Sequence, residues 1–236
     1  MSPPPTILRP GELVHDETTL CDYRDTLALM TTLTERPADA EDLLISVQHP
    51  PTITVGRRGG HELIHSRRLE VETGQSFDVA VYDVARGGSV TYHAPGQLVV
   101  YPVVQLARMA PPMGRRPFGD LPGFVRTLEE VIQKTCLTFG LETVVRPGFA
   151  GVWVDEQTKM ASIGVGVRRG WTFHGLALNV CPHLEGFDLI TPCGLEGVKM
   201  TSLFRELERR KRPTPGIEEV ESELLGRLQR ALLRAD

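Results

Sequence analysis

A cysteine at position 193 sits in "TPCGLEG", between Pro192 and Gly194. A turn of this kind can expose a thiol to substrate while the proline stiffens its approach. Thiol chemistry requires the thiolate, which a neighbouring cation stabilises. Three groups could serve: Lys159 at the head of "KMASIGVGV", His174 inside "TFHGLALNV" and His93 in "RGGSVTYHAPGQ". Each also has a plain structural reading. Cysteine is among the most buried residue types, a lysine opening a strand is usually a solvated edge residue, and a lone histidine in an apolar run is commonly a hydrogen-bonded core residue. Cys136 fits burial, because it falls on the apolar stripe of a helix; Cys193, with loop-like neighbours, does not. Residue types alone leave Cys193 a reactive-thiol candidate without a substrate.

Gly87-Gly88 lets the backbone approach a ligand closely, and Arg86 and His93 bring polar chemistry to the same segment. A simple hairpin turn is the competing reading. The segment lacks the lysine and serine/threonine of a P-loop. His174, Cys181, His183 and Cys193 are zinc-ligand types, but structural zinc sites use ligands paired two to five residues apart. Only Cys181 and His183 are paired, with one residue between them. Neither a metal nor a cofactor is expected.

The elements that must position these groups can be read from periodicity. Leu20, Tyr23, Leu27, Met30 and Leu33 recur at helical spacing. "DLLISVQHPPTITVG" predicts two short strands broken by Pro50-Pro51, "ELIHSRRLEVETG" a short surface helix, and "FDVAVYDVARGG" a strand running into the glycine pair. "QLVVYPVVQL" is a further strand, interrupted by Pro102. The stripe from Leu121 through Leu128 and Ile132 to Phe139 marks the clearest helix, with Gly140 placed to end it. "GVWVDE", "MASIGVGVR" and "WTFHGLALNV" predict a meander, and two helices around "KRPTPG" close the chain. Strands grouped among unevenly spaced helices indicate an α+β fold.

Residues 1–15, rich in proline, are expected to form a flexible arm, and 16–236 a single catalytic domain. The net charge of −4 argues against wholesale nucleic-acid binding. No window approaches the roughly 18 apolar residues of a membrane span, and the start lacks the layout of a secretory signal. A cytoplasmic protein with no membrane partner is therefore expected, its four cysteines reduced.

Taken together, "RGGSVTYHAPGQLVVYPVV", "KMASIGVGVRRGWTFHGLALNV" and "TPCGLEGVKMTSL" make the chain resemble the lipoyl(octanoyl) transferases, the LipB family of lipoate biosynthesis. The likeness spans roughly residues 86–203, with a weaker match in "HPPTITVGRRG". One departure is Ala94, where the family usually has glycine after the histidine. The resemblance implies a biotin/lipoate protein ligase-like fold, with mixed β-sheets flanked by helices and related to class II synthetase cores. The implied reaction moves an octanoyl group from octanoyl-acyl carrier protein to a lysine of lipoyl domains, on α-ketoacid dehydrogenase E2 subunits or glycine cleavage H protein.

On this resemblance Cys193 matches the nucleophile that carries the thioester, and Lys159 the lysine paired with it. Arg86, Gly87, Gly88, Ser89, Val90, Thr91, Tyr92 and His93 match one segment lining the acyl site. Ser162, Ile163 and Gly164, with Gly175, Leu176 and Ala177, match two more. His93 or His174 would be the acid–base helper. Val90, Tyr92, Leu176 and Leu178 could border an apolar slot, where burying six methylenes contributes about 5 kcal/mol. Gly194 and the Ser162–Gly164 backbone are candidate oxyanion donors. Arg57-Arg58, Arg115-Arg116 and Arg168-Arg169 are candidates for a basic rim that steers an acidic carrier protein. The competing readings are an ATP-dependent lipoate or biotin ligase on the same scaffold, a Cys-His thioesterase or amidase, and a non-catalytic carrier-protein-binding module.

Overall fold

The computed structural model describes residues 5–9, 20–70, 74, 76–108, 121–195 and 197–232. Along the chain run β1 (Thr6–Leu8), α1 (Tyr23–Leu33), β2 (Leu43–Val47), β3 (Thr52–Val55), β4 (Arg68–Glu70), β5 (Ser76–Asp78), β6 (Ala80–Asp83), β7 (Val90–His93) and β8 (Gln97–Val103). There follow α2 (Leu121–Thr138), β9 (Val144–Arg146), β10 (Phe149–Trp153), β11 (Thr158–Arg168), β12 (Trp171–Asn179), β13 (Lys199–Met200), α3 (Leu203–Arg209) and α4 (Ile217–Ala231). Among the described residues the strands make three sheets. The largest has the order β1-β2-β8-β12-β11-β10-β9, with β13 added in parallel beside the start of β11; a second has the order β6-β3-β7, and β4 pairs with β5.

The central strands are apolar on both faces because both faces are covered. Period-2 alternation sends Leu98 and Val100 of β8, with Leu176 and Leu178 of β12, under Phe124, Leu128 and Ile132 of α2 and Leu224 and Leu228 of α4. Val99, Tyr101 and Val103 point the other way, joining Ile45, Val47 and Met30 of α1. A third core lies on the small sheet, where Ile53, Val55 and Tyr92 meet Phe187, Leu189 and Ile190. Against the interruption expected in "QLVVYPVVQL", β8 runs on through Pro102 to Val103, paired there with β2. The β12 ladder stops at Leu176↔Val100, two positions before a proline that has no N–H to give. Beyond that break His174 takes a positive φ of 54°.

Three expectations need correction. Residues 6–8, assigned to a flexible arm, form an edge strand paired in parallel with β2; residues 1–4 and 10–15 lie outside the described residues. "ELIHSRRLEVETG" is a single 3-10 turn at His61–Leu63 and then strand β4, not a surface helix. Leu20 lies outside α1 and is exposed, Asp22 capping the helix instead. No helix among the described residues is long and apolar enough to cross a membrane.

Candidate active site

Cys193 occupies a short turn, Pro192–Gly194, in which its own backbone is left-handed at φ 60° and ψ 10°. Gly194 follows at φ 70°. Residues with a Cβ rarely adopt this region, so the turn is over-determined by its surroundings: Thr191 N–H donates to Leu63 O (2.8 Å) and Leu195 N–H to Pro192 O (3.1 Å). The Gly194 N–H donates to Thr191 O (3.1 Å), so the candidate oxyanion donor is engaged in holding the turn.

Lys159 is not a solvated edge charge. It is 2% exposed, and its Nζ donates to Cys193 Sγ at 3.2 Å and to Ala150 O at 3.0 Å, lying 5.1 Å from the Trp153 ring centroid. β13 and β10 flank β11 where the lysine stands, which closes the edge. The Glu129 side chain of α2 accepts from the Gly151 N–H (3.0 Å) and lies within electrostatic reach of Lys159. Burial raises the Glu129 carboxyl above its usual range, against the Gly151 hydrogen bond and nearby cations. Sequence reasoning missed Glu129, although a carboxylate beside Leu128 on an otherwise apolar helix stripe was a usable signal.

Beside the pair opens a narrow slot of about 40 Å³ between the large and small sheets, and Cys193 is part of its wall. Ser162↔Ala177 and Gly164↔Gly175 are register partners on β11 and β12, so four small residues leave a trough on the sheet face. A Cβ on Gly164 would meet Gly87 O at 2.8 Å and Arg86 Cδ at 3.0 Å. Of the residues named from sequence, Arg86, Ser89, Val90, Thr91, His93, Ser162, Ile163, Gly164, His174, Gly175, Leu176 and Ala177 all line the slot. Gly87, Gly88 and Tyr92 do not. Gly87 ties its turn to β11 through Val165 O (3.0 Å), and Gly88 takes φ 88°. The Tyr92 ring faces the third core, 5.3 Å from Phe187, and Leu178 faces the helices. Tyr23, Val99 and Tyr101 line the slot and were missed, since aromatic and β-branched residues on apolar stripes look like plain core.

Arg86 is 8% exposed. Its guanidinium donates to Thr54 O and Oγ1 (both 2.8 Å) and to Gly87 O (3.0 Å), while Nε has no partner. Burial pulls it below its ordinary pKa, and Tyr23 and then Cys193 act in the opposite sense. Buried neutral side chains surround it. Desolvation pushes Tyr23 up to about 12 and Tyr101 well above its usual value. It brings His174 down to about 3, His49 to about 4, and His93 well below the usual value. His93 is held by Gln97 Oε1 (2.7 Å) and Thr54 Oγ1 (3.4 Å), and His174 by Tyr23 Oη (3.4 Å). Neither histidine hydrogen-bonds Cys193 or Lys159, so the helper role expected of them has no direct contact behind it. Ala94 is 3% exposed, in the third core.

The zinc-type residues do not converge. Cys181 is exposed, the His183 side chain is 89% exposed beside Glu185, and among the described residues no three His, Cys, Asp or Glu side chains could hold a metal together. Of the arginine pairs, exposed Arg57 and Arg58 lie beside the Arg86–Gly88 turn but do not line the slot. Their N–H groups donate to Arg86 O (3.0 Å) and Gly88 O (3.1 Å), and their charge reaches His174 and Arg86. Arg168 and Arg169 are both paired with Glu35, at the far end of the β11–β12 hairpin. Arg115-Arg116 lies outside the described residues.

The profile of the lipoyl protein ligase A/B catalytic domain matches residues 22–229. The chain belongs to this family. Within it, the chain is 46% identical over 188 residues to an octanoyltransferase of Nitratidesulfovibrio vulgaris (strain DP4), covering 79% of this chain and 80% of that protein. It is 43% identical over 183 residues to the octanoyltransferase of Syntrophotalea carbinolica, covering 77% and 78%. Two solved structures share the lipoyl ligase fold at low identity. Lipoate-protein ligase A bound with ATP superposes with a TM-score of 0.69 at 16% identity, covering 100% of this chain and 89% of that one. The bipartite lipoate protein ligase of Thermoplasma acidophilum gives 0.63 at 18%, covering 100% and 87%. The architecture is thus the α+β fold of lipoate and biotin protein ligases, as expected.

Proposed function

We propose that this chain is an octanoyltransferase of protein lipoylation, carrying the acyl group on Cys193 with Lys159 as its proton partner. The octanoyltransferase relatives support the reaction, and lipoyl-domain proteins are the acceptors it implies. The observation that carries the residue assignment is the 3.2 Å contact between Lys159 Nζ and Cys193 Sγ at the wall of the slot.

The thiolate attacks the carbonyl of octanoyl-acyl carrier protein, and the carrier's pantetheine sulfur leaves with the proton of the Lys159 ammonium. Thioester exchange is nearly balanced in energy and needs no ATP. The neutral amine of the acceptor lysine then attacks the acyl-enzyme. Lys159, now neutral, takes the proton released as the amide forms, and the Cys193 thiolate departs. Lys159 and Arg86 supply positive charge around the tetrahedral intermediates. A cytoplasmic setting fits this chemistry, for all four cysteines are free and the nucleophile must stay reduced.

The test is intact mass spectrometry after mixing with octanoyl-acyl carrier protein, without ATP or acceptor. The wild type is expected to gain one octanoyl group that hydroxylamine removes; Cys193→Ala gains none. An undiminished adduct on Cys193→Ala would sink the nucleophile assignment. Loading only from free octanoate plus ATP would establish the ligase reading instead.

A further inference from the structure

A second cavity, about 490 Å³ and far wider than the slot, opens on the other side of the Cys193 turn. Pro192 and Thr158 belong to its wall. Each is the chain neighbour of a reacting residue, Cys193 and Lys159, so the pair stands in the partition between the two spaces. A thioester donor has two arms on its reacting group: the acyl chain and the pantetheine. With the acyl chain in the narrow slot, the other arm leaves the sulfur on the opposite side of the partition.

The chemistry of the wide cavity suits that second arm. Lys199 of β13 with Arg205 and Arg209 of α3 forms one wall; Leu184, Phe187 and Ile190 form an apolar one, which also carries Glu185 and Asp188. Arg209 is paired with Glu206 (2.9 Å). Lys199 and Arg205 make no ion pair among the described residues, although Lys199 lies within electrostatic reach of exposed Asp155. Asp188 stands across the cavity on the Leu184–Leu189 turn, and Glu185, on the same turn, lies within 3.9 Å of His183. Two cations without an ion pair among the described residues thus share the cavity with an apolar wall that carries two carboxylates. The 4′-phosphopantetheine arm of a carrier protein is complementary to this: a dimethyl-bearing, amide-linked chain that ends in an anionic phosphodiester.

We propose that the wide cavity binds the 4′-phosphopantetheine arm of the donor, with Lys199 and Arg205 holding its phosphate. The proposal rests on the octanoyl-transfer reading and adds to it a site for the donor's non-reacting end. Phosphate contacts from two cations raise the efficiency of loading without taking part in the bond change.

The experiment measures loading of Cys193 from two small donors, octanoyl-pantetheine and octanoyl-4′-phosphopantetheine, with octanoyl-acyl carrier protein alongside. Wild-type enzyme is expected to have a kcat/KM about tenfold higher for the phosphorylated small donor. The double variant Lys199→Gln/Arg205→Gln is expected to lose that preference while keeping its wild-type rate with octanoyl-pantetheine, which also reports that the variant is folded. Equal use of both small donors by the wild type, or an undiminished preference in the variant, overturns the site and leaves octanoyl transfer standing. So does a variant that loads normally but passes its acyl group slowly to a lipoyl domain, because the cavity then serves the acceptor. Absence of loading from all three donors removes the octanoyl-transfer reading and this proposal with it.

Discussion

The left-handed backbone at Cys193 opposes its side chain: a Cβ in this region costs about 1–2 kcal/mol. Glycine adopts the conformation freely but gives back part of the gain through the greater entropy of its unfolded chain. Cys193→Gly is therefore expected to be more stable by about 1 kcal/mol, a rise in Tm of roughly 2–4 °C for a chain of this size, while all loading is lost. Cys193→Ala keeps the Cβ and should lose activity without the gain; thermal melts of the two variants beside the loading assay decide it. On the proposed role of Cys193, stability is given up here to aim a thiol. The turn itself was legible, since Pro192 and Gly194 flank the cysteine. The burial of Lys159 was not, because it depends on Ala150 and Trp153 from one neighbouring strand and a two-residue strand on the other side. Only the family resemblance singled that lysine out.

Strands and helices with strong periodicity were readable because each buries a face that repeats along the chain: α2, α4 and the β10–β12 meander lie where the patterns place them. Elements of two or three residues carry no period, and β1, β4 and β13 escaped. The trough on β11 and β12 is an element-level device, and at Gly164 it leaves no room for a side chain beside the Arg86–Gly88 turn. Gly164→Ala forces its new methyl against Gly87 O and Arg86, and overpacking of this kind costs about 1–3 kcal/mol. The expected result is a fall in loading kcat/KM of about tenfold or more with the far-ultraviolet spectrum unchanged; undisturbed kinetics would show that the Arg86–Gly88 turn moves aside freely.

Strands β7 and β12 and the loop after β2 also bring His93, His174 and His49 together, all buried and held neutral with depressed pKa values. A histidine that stays neutral when folded but protonates near 6.5 when unfolded favours the folded state fully above that pH. As pH falls below about 6.5 the unfolded chain binds protons that the folded one refuses. Stability then drops, levelling off below the folded-state values of about 3 and 4 for His174 and His49. Urea midpoints between pH 7 and pH 5 should decline, and His174→Gln should decline less steeply by about one proton. An identical slope in that variant would show His174 to be protonated in the folded protein.

At the scale of the molecule, the Cys193–Lys159 pair stands where the large sheet, the small sheet and the Pro192–Gly194 turn meet. No local pattern could have shown this meeting, for its contacts join residues as far apart in sequence as Tyr23, Arg86, Ser162 and Cys193. Loaded with substrate, the seam changes character. On the proposed chemistry, an octanoyl chain tethered to Cys193 is no longer a visitor in a binding site; it becomes interior, a borrowed piece of core lodged between α1's side of the large sheet and the small sheet. Its six inner methylenes add apolar burial of about 5 kcal/mol, so the acyl-enzyme, prepared without acceptor, should melt on the order of 10 °C above the free enzyme. Equal melting temperatures would place the chain outside the seam. On that proposal, transfer to the acceptor removes part of the enzyme's own interior, and each turnover ends with a protein less stable than the intermediate it came from.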